Sequence, residues 1–226
     1  MYHLYNERYF KESYGEWSSY ERAKEYVLCY YLKHIRYAMR LFKIHDLKGF
    51  NCLDIGCAYG YGLSVLKNLG ARTVVGIDIS SYAIKVAKNL SRESFLICDA
   101  EKLPFKDGQF DLITCFHVLE HLKSPELAIA EMYRCLKNGG ILVITTPNKA
   151  RPLKGLLFRK YREEHHISEK TLREWREILS DFNFHKLKIF LALGLGVPTI
   201  SRITNKFPII RLPRFGTYVA IFAKKR

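Results

Sequence analysis

From Phe50 onward, short apolar runs rich in β-branched residues alternate with amphipathic helical patterns, and this alternation limits the fold more than any other feature of the chain. Residues 52–55, 73–79, 95–98, 111–116 and 141–146 read as strands. Between them Leu63, Leu66 and Leu69 share a helical face that Gly70 closes, and Ser80 or Ser81 is placed to cap a helix with Ile84, Ala87 and Leu90 inward. Ser124-Pro125 reads as an N-cap and first turn. The helix that follows turns Ile129, Met132, Tyr133 and Leu136 inward until Asn138-Gly139-Gly140 stops it. Ser168 is placed to cap a later helix, with Ile167 and Leu172 as its hydrophobic staple. Strand–helix alternation of this kind predicts an α/β fold, a parallel sheet with helices on both faces. Two further strands are expected near 186–193 and 217–223, and the stretch 194–216 between them is too long for a tight hairpin.

The chain has 226 residues, 48% of them apolar, enough for one domain with a full core. Residues 1–48 precede the alternation and are expected to form an N-terminal helical cap, with Val27, Tyr31, Ile35, Ala38 and Leu41/Phe42 on its inner face; residues 49–226 form the main domain, with 194–216 as an insertion. Tyr2, Tyr5, Tyr9, Phe10, Tyr14, Trp17 and Tyr20 are too dense for an exposed arm, and are expected to pack a lid onto the sheet or to close over a site. The opening MYHLYNERYFKE has charges and no apolar core, against a secretory leader, and the apolar run 189–200 is shorter than the roughly 20 residues that span a bilayer. Six cysteines without a Cys-x-x-Cys pair read as reduced thiols in a cytoplasmic protein. The formal charge is +15 and is concentrated late: no acidic residue follows Asp181, while nine basic ones do. That bias marks 194–226 as a candidate contact for an anionic partner.

Leu53-Asp54-Ile55-Gly56-Cys57-Ala58-Tyr59-Gly60-Tyr61-Gly62 runs from a strand through a glycine-rich turn into a helix, the place where open α/β sheets bind ligands. Asp78 ends the second strand, where a carboxylate suits a ribose diol; Asp99 ends the third, where a carboxylate can accept from an exocyclic adenine amine, with Leu103 and Phe105 as candidate apolar walls. Three strand ends in register, each with a suitable group, point to a nucleoside-bearing cofactor. A nicotinamide dinucleotide fits less well, because the Gly-x-Gly-x-x-Gly pattern fails at Ala58 and Tyr61 when read from Gly56.

With its blocks LDIGCAYGYG, VVGIDIS, FLICDAEKLPF, FDLITCFHVLEHL and LKNGGILVITTPN, in that order over 50–148, the chain resembles the class I S-adenosylmethionine-dependent methyltransferases, and among them the small-molecule group that includes quinone-biosynthesis enzymes. HHISEKTLREWREIL is similar to a later segment of the same family. The resemblance implies a Rossmann-like seven-stranded sheet with the last strand antiparallel, and S-adenosyl-L-methionine as cofactor. It implies that Asp54 and the backbone at Gly56, Cys57 and Ala58 hold the methionine part. Asp78 would take the ribose hydroxyls, Ile79 would lie against adenine, Asp99 would bind its amine beside Ala100, and Phe116 and His117 would line the sulfonium side. Ala58 departs from the family's usual glycine.

His117-Val118-Leu119-Glu120-His121 carries the candidate chemistry. A neutral His117 or His121 can take the proton of an acceptor hydroxyl. Alternatively His117, Glu120 and His121, with His165 or His166, could gather a zinc or manganese ion; the reading adopted assigns no metal. Cys115-Phe116-His117-Val118 is unlike the Asn/Asp-Pro-Pro-Tyr/Phe run of amino-group methylation, which favours an oxygen or carbon acceptor. The expected function is methyl transfer to a small-molecule or lipid-like, amphipathic acceptor, with an anionic membrane surface met by 194–226. An RNA methyltransferase or a non-catalytic cofactor-binding protein are the alternatives.

Overall fold

The computed structural model describes residues 5–12, 19–150, 166–192, 209 and 217–226. In chain order the elements are α1 (Glu7–Glu12), α2 (Lys24–Phe42), β1 (Asn51–Ile55), α3 (Tyr61–Asn68), β2 (Thr73–Asp78), α4 (Ser81–Leu90), β3 (Ser94–Ile97), β4 (Phe110–Phe116), a single 3-10 turn (Leu119–His121), α5 (Pro125–Cys135), β5 (Leu136–Pro147), α6 (Leu172–Ser180), β6 (Phe184–Ala192) and β7 (Tyr218–Lys225).

The seven strands form one sheet in the order β3-β2-β1-β4-β5-β7-β6. β1 to β5 pair in parallel, and β7 runs antiparallel to both β5 and β6. This is the expected fold class. Strand alternation divides the core in two: Cys52 faces the side with α2, α3 and α4, while Leu53 and Ile55 face the side with Trp175 and Leu179 of α6 and Ile129 and Met132 of α5. The strand order reverses between the parallel neighbours β1 and β4, so the connections that leave their carboxyl ends run to opposite sides and leave a crevice there.

Several local expectations need correction. α6 is capped by Thr171, whose side chain accepts from the Glu174 N–H while the Glu174 carboxylate accepts from the Thr171 N–H. That reciprocal pair outcompetes Ser168, whose hydroxyl donates to the Leu119 carbonyl; Ile167 is 57% exposed and makes no staple. α5 ends at Cys135, before Asn138-Gly139-Gly140, which lies within β5 with Gly139 at φ +75°. Leu90 is exposed. Ser80 caps α4 by accepting from the Ala83 N–H, as its position predicts; Ser124 makes no side-chain cap, and its N–H donates to Glu101. Tyr2, Tyr14, Trp17, His165 and all of the 194–216 insertion except the buried Ile209 lie outside the described residues.

Candidate active site

The turn after β1 is shaped by φ values that L side chains resist. Gly56 sits at φ +70°, and a Cβ there would stand 2.2 Å from Val118 Cγ2. Ala58 holds φ +47°, its N–H donating to Asp78 Oδ2 at 2.9 Å. The N–H groups of Gly56 and Cys57 both donate to the Ile77 carbonyl. All three amides therefore lock the turn onto β2.

The carboxyl ends of four strands open onto one cavity of about 410 Å³, within the range of roughly 300–1,000 Å³ usual for small-ligand sites. β1 contributes Ile55 and Gly56, and Ala58 lies just beyond them. β2 contributes Ile77, Asp78 and Ile79. Cys98, Asp99 and Ala100 follow β3, and Phe116 and His117 close β4. His121 stands further round. Asp78 accepts one backbone N–H on each oxygen, from Ser80 on Oδ1 and from Ala58 on Oδ2, so each oxygen keeps acceptor capacity toward the cavity. Burial raises its pKa against these and the Ile79 amide, which lower it. Asp99 takes the Glu101 N–H on Oδ1 at 2.9 Å.

Asp54 and Cys57 are placed differently: neither lines the cavity, and both are buried behind it. The Asp54 carboxylate accepts from Tyr31 Oη at 3.1 and 3.2 Å and from Thr114 Oγ1 at 2.6 Å. Burial pushes its pKa up to about 7, held back by those hydrogen bonds. Asp54 therefore ties α2 and β4 to the turn.

The opposite wall is aromatic, formed by Tyr5, Tyr9 and Phe10 of the N-terminal segment, Tyr20, and Tyr26, Tyr30 and Tyr31 of α2. Phe10 stacks on Tyr59 and Tyr20 on Tyr61, each with ring centroids 5.3 Å apart, so the first residues bind directly to the glycine-rich turn. Ser80 Oγ donates to the Tyr5 carbonyl. Sequence reading did not reach Tyr30 as a site residue; the signal was there in Tyr30-Tyr31, two polar-tipped aromatics side by side on the helix's inner face.

His117 has φ +55°, an uncommon conformation for a bulky residue and one often found at functional positions. Its backbone N–H donates to the Thr145 carbonyl, its Nε2 lies 3.0 Å from Tyr30 Oη, and its Nδ1 lies 3.3 Å from Glu120 Oε1. Glu120 is fully buried and accepts from Thr146 Oγ1 on Oε2. Burial works to raise its pKa, but His117, together with the charges of His121 and His166, outweighs burial and holds it below the usual carboxylate range. The donor atoms that gather within 4.8 Å are those of Glu120, His121 and His166, the spacing a shared cation would need, and His117 is not among them. His166 Nδ1 lies 2.8 Å from Glu169 Oε1. Among the described residues no helix is long and apolar enough to cross a membrane.

Comparison with known proteins agrees with this architecture. A family model described as a methyltransferase domain matches residues 53–144. An uncharacterized protein of Methanocaldococcus jannaschii is 33% identical over 174 residues, covering 76% of this chain and 70% of its own length. The ubiquinone biosynthesis O-methyltransferase of Thiobacillus denitrificans is 37% identical over 109 residues, covering 46% of this chain and 47% of its own length. The chain thus spans about half the length of the first curated relatives it matches. The crystal structure of an S-adenosylmethionine-dependent methyltransferase from Thermotoga maritima superposes with a TM-score of 0.68 at 23% identity, covering 92% of this chain and 94% of that one. The matching family model and the curated relatives place the chain in the class I S-adenosylmethionine-dependent methyltransferase family, whose fold the seven-stranded order, the antiparallel β7 and the Thermotoga likeness display.

Proposed function

We propose that the chain transfers the methyl group of S-adenosyl-L-methionine to an oxygen or carbon of a small, amphipathic acceptor. The observation that carries this reading is the convergence of four strand ends on one cavity, with the Asp78 and Asp99 carboxylates after β2 and β3 and the Tyr30–His117 contact joining α2 to the end of β4. The residues present fit the cofactor. Asp78 retains acceptor capacity for two ribose hydroxyls, Asp99 for an adenine amine, and Ile79 and Ala100 offer apolar surface to the base. Gly56 and Ala58 would border the methionine part. Phe116 and the tyrosine wall would face the sulfonium, a cation that aromatic faces attract. Asp54, held by Tyr31 and Thr114, acts as a positioning residue behind the turn.

When bound, the cofactor supplies a methyl group already activated on sulfur. The protein aligns the acceptor, excludes water and removes a proton. Residues 1–48 serve as the cap that excludes water, through the Phe10–Tyr59 and Tyr20–Tyr61 stacks. His117 and His121 are the groups placed for proton removal. The likeness to a quinone-pathway O-methyltransferase supports a hydroxyl acceptor. Six cysteines without a disulfide suit a reducing, cytoplasmic setting. The basic 194–226 segment is read as the part that meets an anionic membrane surface, or an amphipathic acceptor held there.

Two measurements test the reading. Calorimetry with S-adenosylmethionine and S-adenosylhomocysteine should show binding that Asp78→Ala weakens. A radiolabelled-methyl assay over phenolic, lipid and RNA acceptor pools should label a small or lipid-like molecule. Label in RNA alone would replace the acceptor class, and binding without any transfer would leave a non-catalytic cofactor-binding protein.

A further inference from the structure

The neighbours of His117 bias where its proton lies. Glu120, buried and held below the usual carboxylate range, can only accept a hydrogen bond. Its Oε1 makes no hydrogen bond among the described residues and lies 3.3 Å from His117 Nδ1, a contact of charge alone. The carboxylate charge beside Nδ1 favours the tautomer of neutral His117 with its proton on Nδ1 and its lone pair on Nε2. The Tyr30 hydroxyl, 3.0 Å from Nε2, must then be the donor.

A second histidine holds Tyr30 in place. His34, one turn further along α2, is fully buried, and burial pushes its pKa down to about 3, so it is neutral. Its Nδ1 lies 2.8 Å from the Tyr30 carbonyl, which can only accept, so Nδ1 carries the proton. Its Nε2, 3.0 Å away, accepts from Tyr218 Oη on β7. The turn bearing Tyr30 is thus anchored to the sheet.

Both nitrogens of His117 are engaged as a result. An acceptor hydroxyl cannot reach the Nε2 lone pair without displacing Tyr30, whereas the Tyr30 oxygen, with Thr145 as its other hydrogen-bond neighbour, keeps one lone pair and Tyr30 lines the cavity.

We propose that Tyr30 is the catalytic residue that meets the acceptor, relaying its proton to His117 rather than leaving His117 to take it directly. The proposal rests on the hydroxyl-acceptor reading above. As the acceptor oxygen bonds to the methyl carbon, its O–H bond breaks and that proton forms a new O–H bond on Tyr30. The original Tyr30 proton moves to Nε2. The electron pair of the broken carbon–sulfur bond stays on sulfur, and the positive charge lost there reappears on the imidazolium beside Glu120. Tyr30 never becomes a free phenolate, which burial strongly disfavours.

The experiment uses the full chain with S-adenosylhomocysteine for binding and spectroscopy, and with S-adenosylmethionine and a phenol panel headed by catechol for turnover. In 15N-histidine NMR, His117 should show a protonated Nδ1 and an unprotonated, hydrogen-bonded Nε2, and Tyr30→Phe should shift Nε2 toward a free lone pair. Turnover should fall about 10²-fold in Tyr30→Phe, the low end of what a positioned acid–base group contributes. S-adenosylhomocysteine affinity should stay within about three-fold, since no bond to the cofactor wall is lost. Tyr30→Phe/His117→Ala should fall no further than His117→Ala alone, because the two residues act in series. A protonated Nε2 in the wild type, or equal or higher turnover in Tyr30→Phe, would overturn the relay and leave His117 as direct base. No methylation of any phenol by wild type would remove the hydroxyl-acceptor reading and the relay with it.

Discussion

The two walls of the cavity are built by different means. On the strand-end wall the contributors lie within a few residues of a β carboxyl end, and the two carboxylates are held by backbone amides: Asp78 by Ser80 and, across the β1–β2 pairing, by Ala58, and Asp99 by Glu101. On the aromatic wall the contributors come from α1, α2 and the chain between them, and are held by rings and by bonds across the chain, such as Tyr30 to His117 and Tyr31 to Asp54. A wall made of local turns is preorganised as soon as its strands pair. A wall made of long-range contacts exists only once the helices have docked, so disturbing it should change chemistry and closure more than cofactor affinity.

The sharpest separation of the two walls comes from the histidines. His117→Ala should cut turnover by about 10²–10⁴-fold while S-adenosylhomocysteine affinity by calorimetry changes little; equal losses in both would show that the walls do not act separately. The same comparison on His121→Ala decides whether it shares the proton role. At the end of β2, Asp78→Ala should cost about 1–3 kcal/mol of cofactor binding under the ribose role proposed for it, because its acceptor oxygens go and the Ala58 and Ser80 amides lose their partner. Unchanged affinity would take Asp78 out of the site.

Smaller effects probe how the walls are joined. Gly56→Ala puts a methyl group into Val118 at φ +70° and should cost about 1–3 kcal/mol of stability, read as a lowered midpoint in urea. Ser80→Ala removes both the cap of α4 and the bond to the Tyr5 carbonyl, and should cost about 1 kcal/mol. If the N-terminal segment depends on that bond, this variant should also quicken cofactor release in stopped flow. The last prediction concerns Asp54, whose pKa rises from 3.8 to about 7 on folding. The folded state then binds more protons than the unfolded one between those values, so stability is fullest below pH 4 from this group and is lost as pH rises toward 7. Asp54→Asn keeps the acceptor for Tyr31 and should flatten that part of the stability profile; an unaltered profile would show that Asp54 does not titrate there.

How far the sequence could be read follows the same division. Strand positions, the Ser80 cap and the order of the glycine-rich turn, Asp78 and Asp99 were legible because each depends on periodicity or on neighbours within a few residues. The Thr171–Glu174 capping box is equally local, but Ser168 carries the same cap signal three residues earlier, and only the geometry gives the Ser168 hydroxyl to the Leu119 carbonyl. Asp54 could be recognised as special but not located: its neighbours Tyr31 and Thr114 are remote in the chain, and they draw the carboxylate behind the turn instead of into the cavity.

By itself the sequence determined the alternating α/β plan and which acidic residues end the strands, because period, capping and turn conformation act over a few residues and leave a pattern in the order of side chains. Only the tertiary structure decided that Tyr30 would cap His117, that Glu120 would be buried beneath it, and that His34 would anchor the helix carrying Tyr30. Those contacts join residues as far apart as 87 positions for Tyr30 and His117 and 184 for His34 and Tyr218. No local propensity encodes such pairs; they form when helices dock on the sheet and buried polar groups must find partners among what the packing brings near.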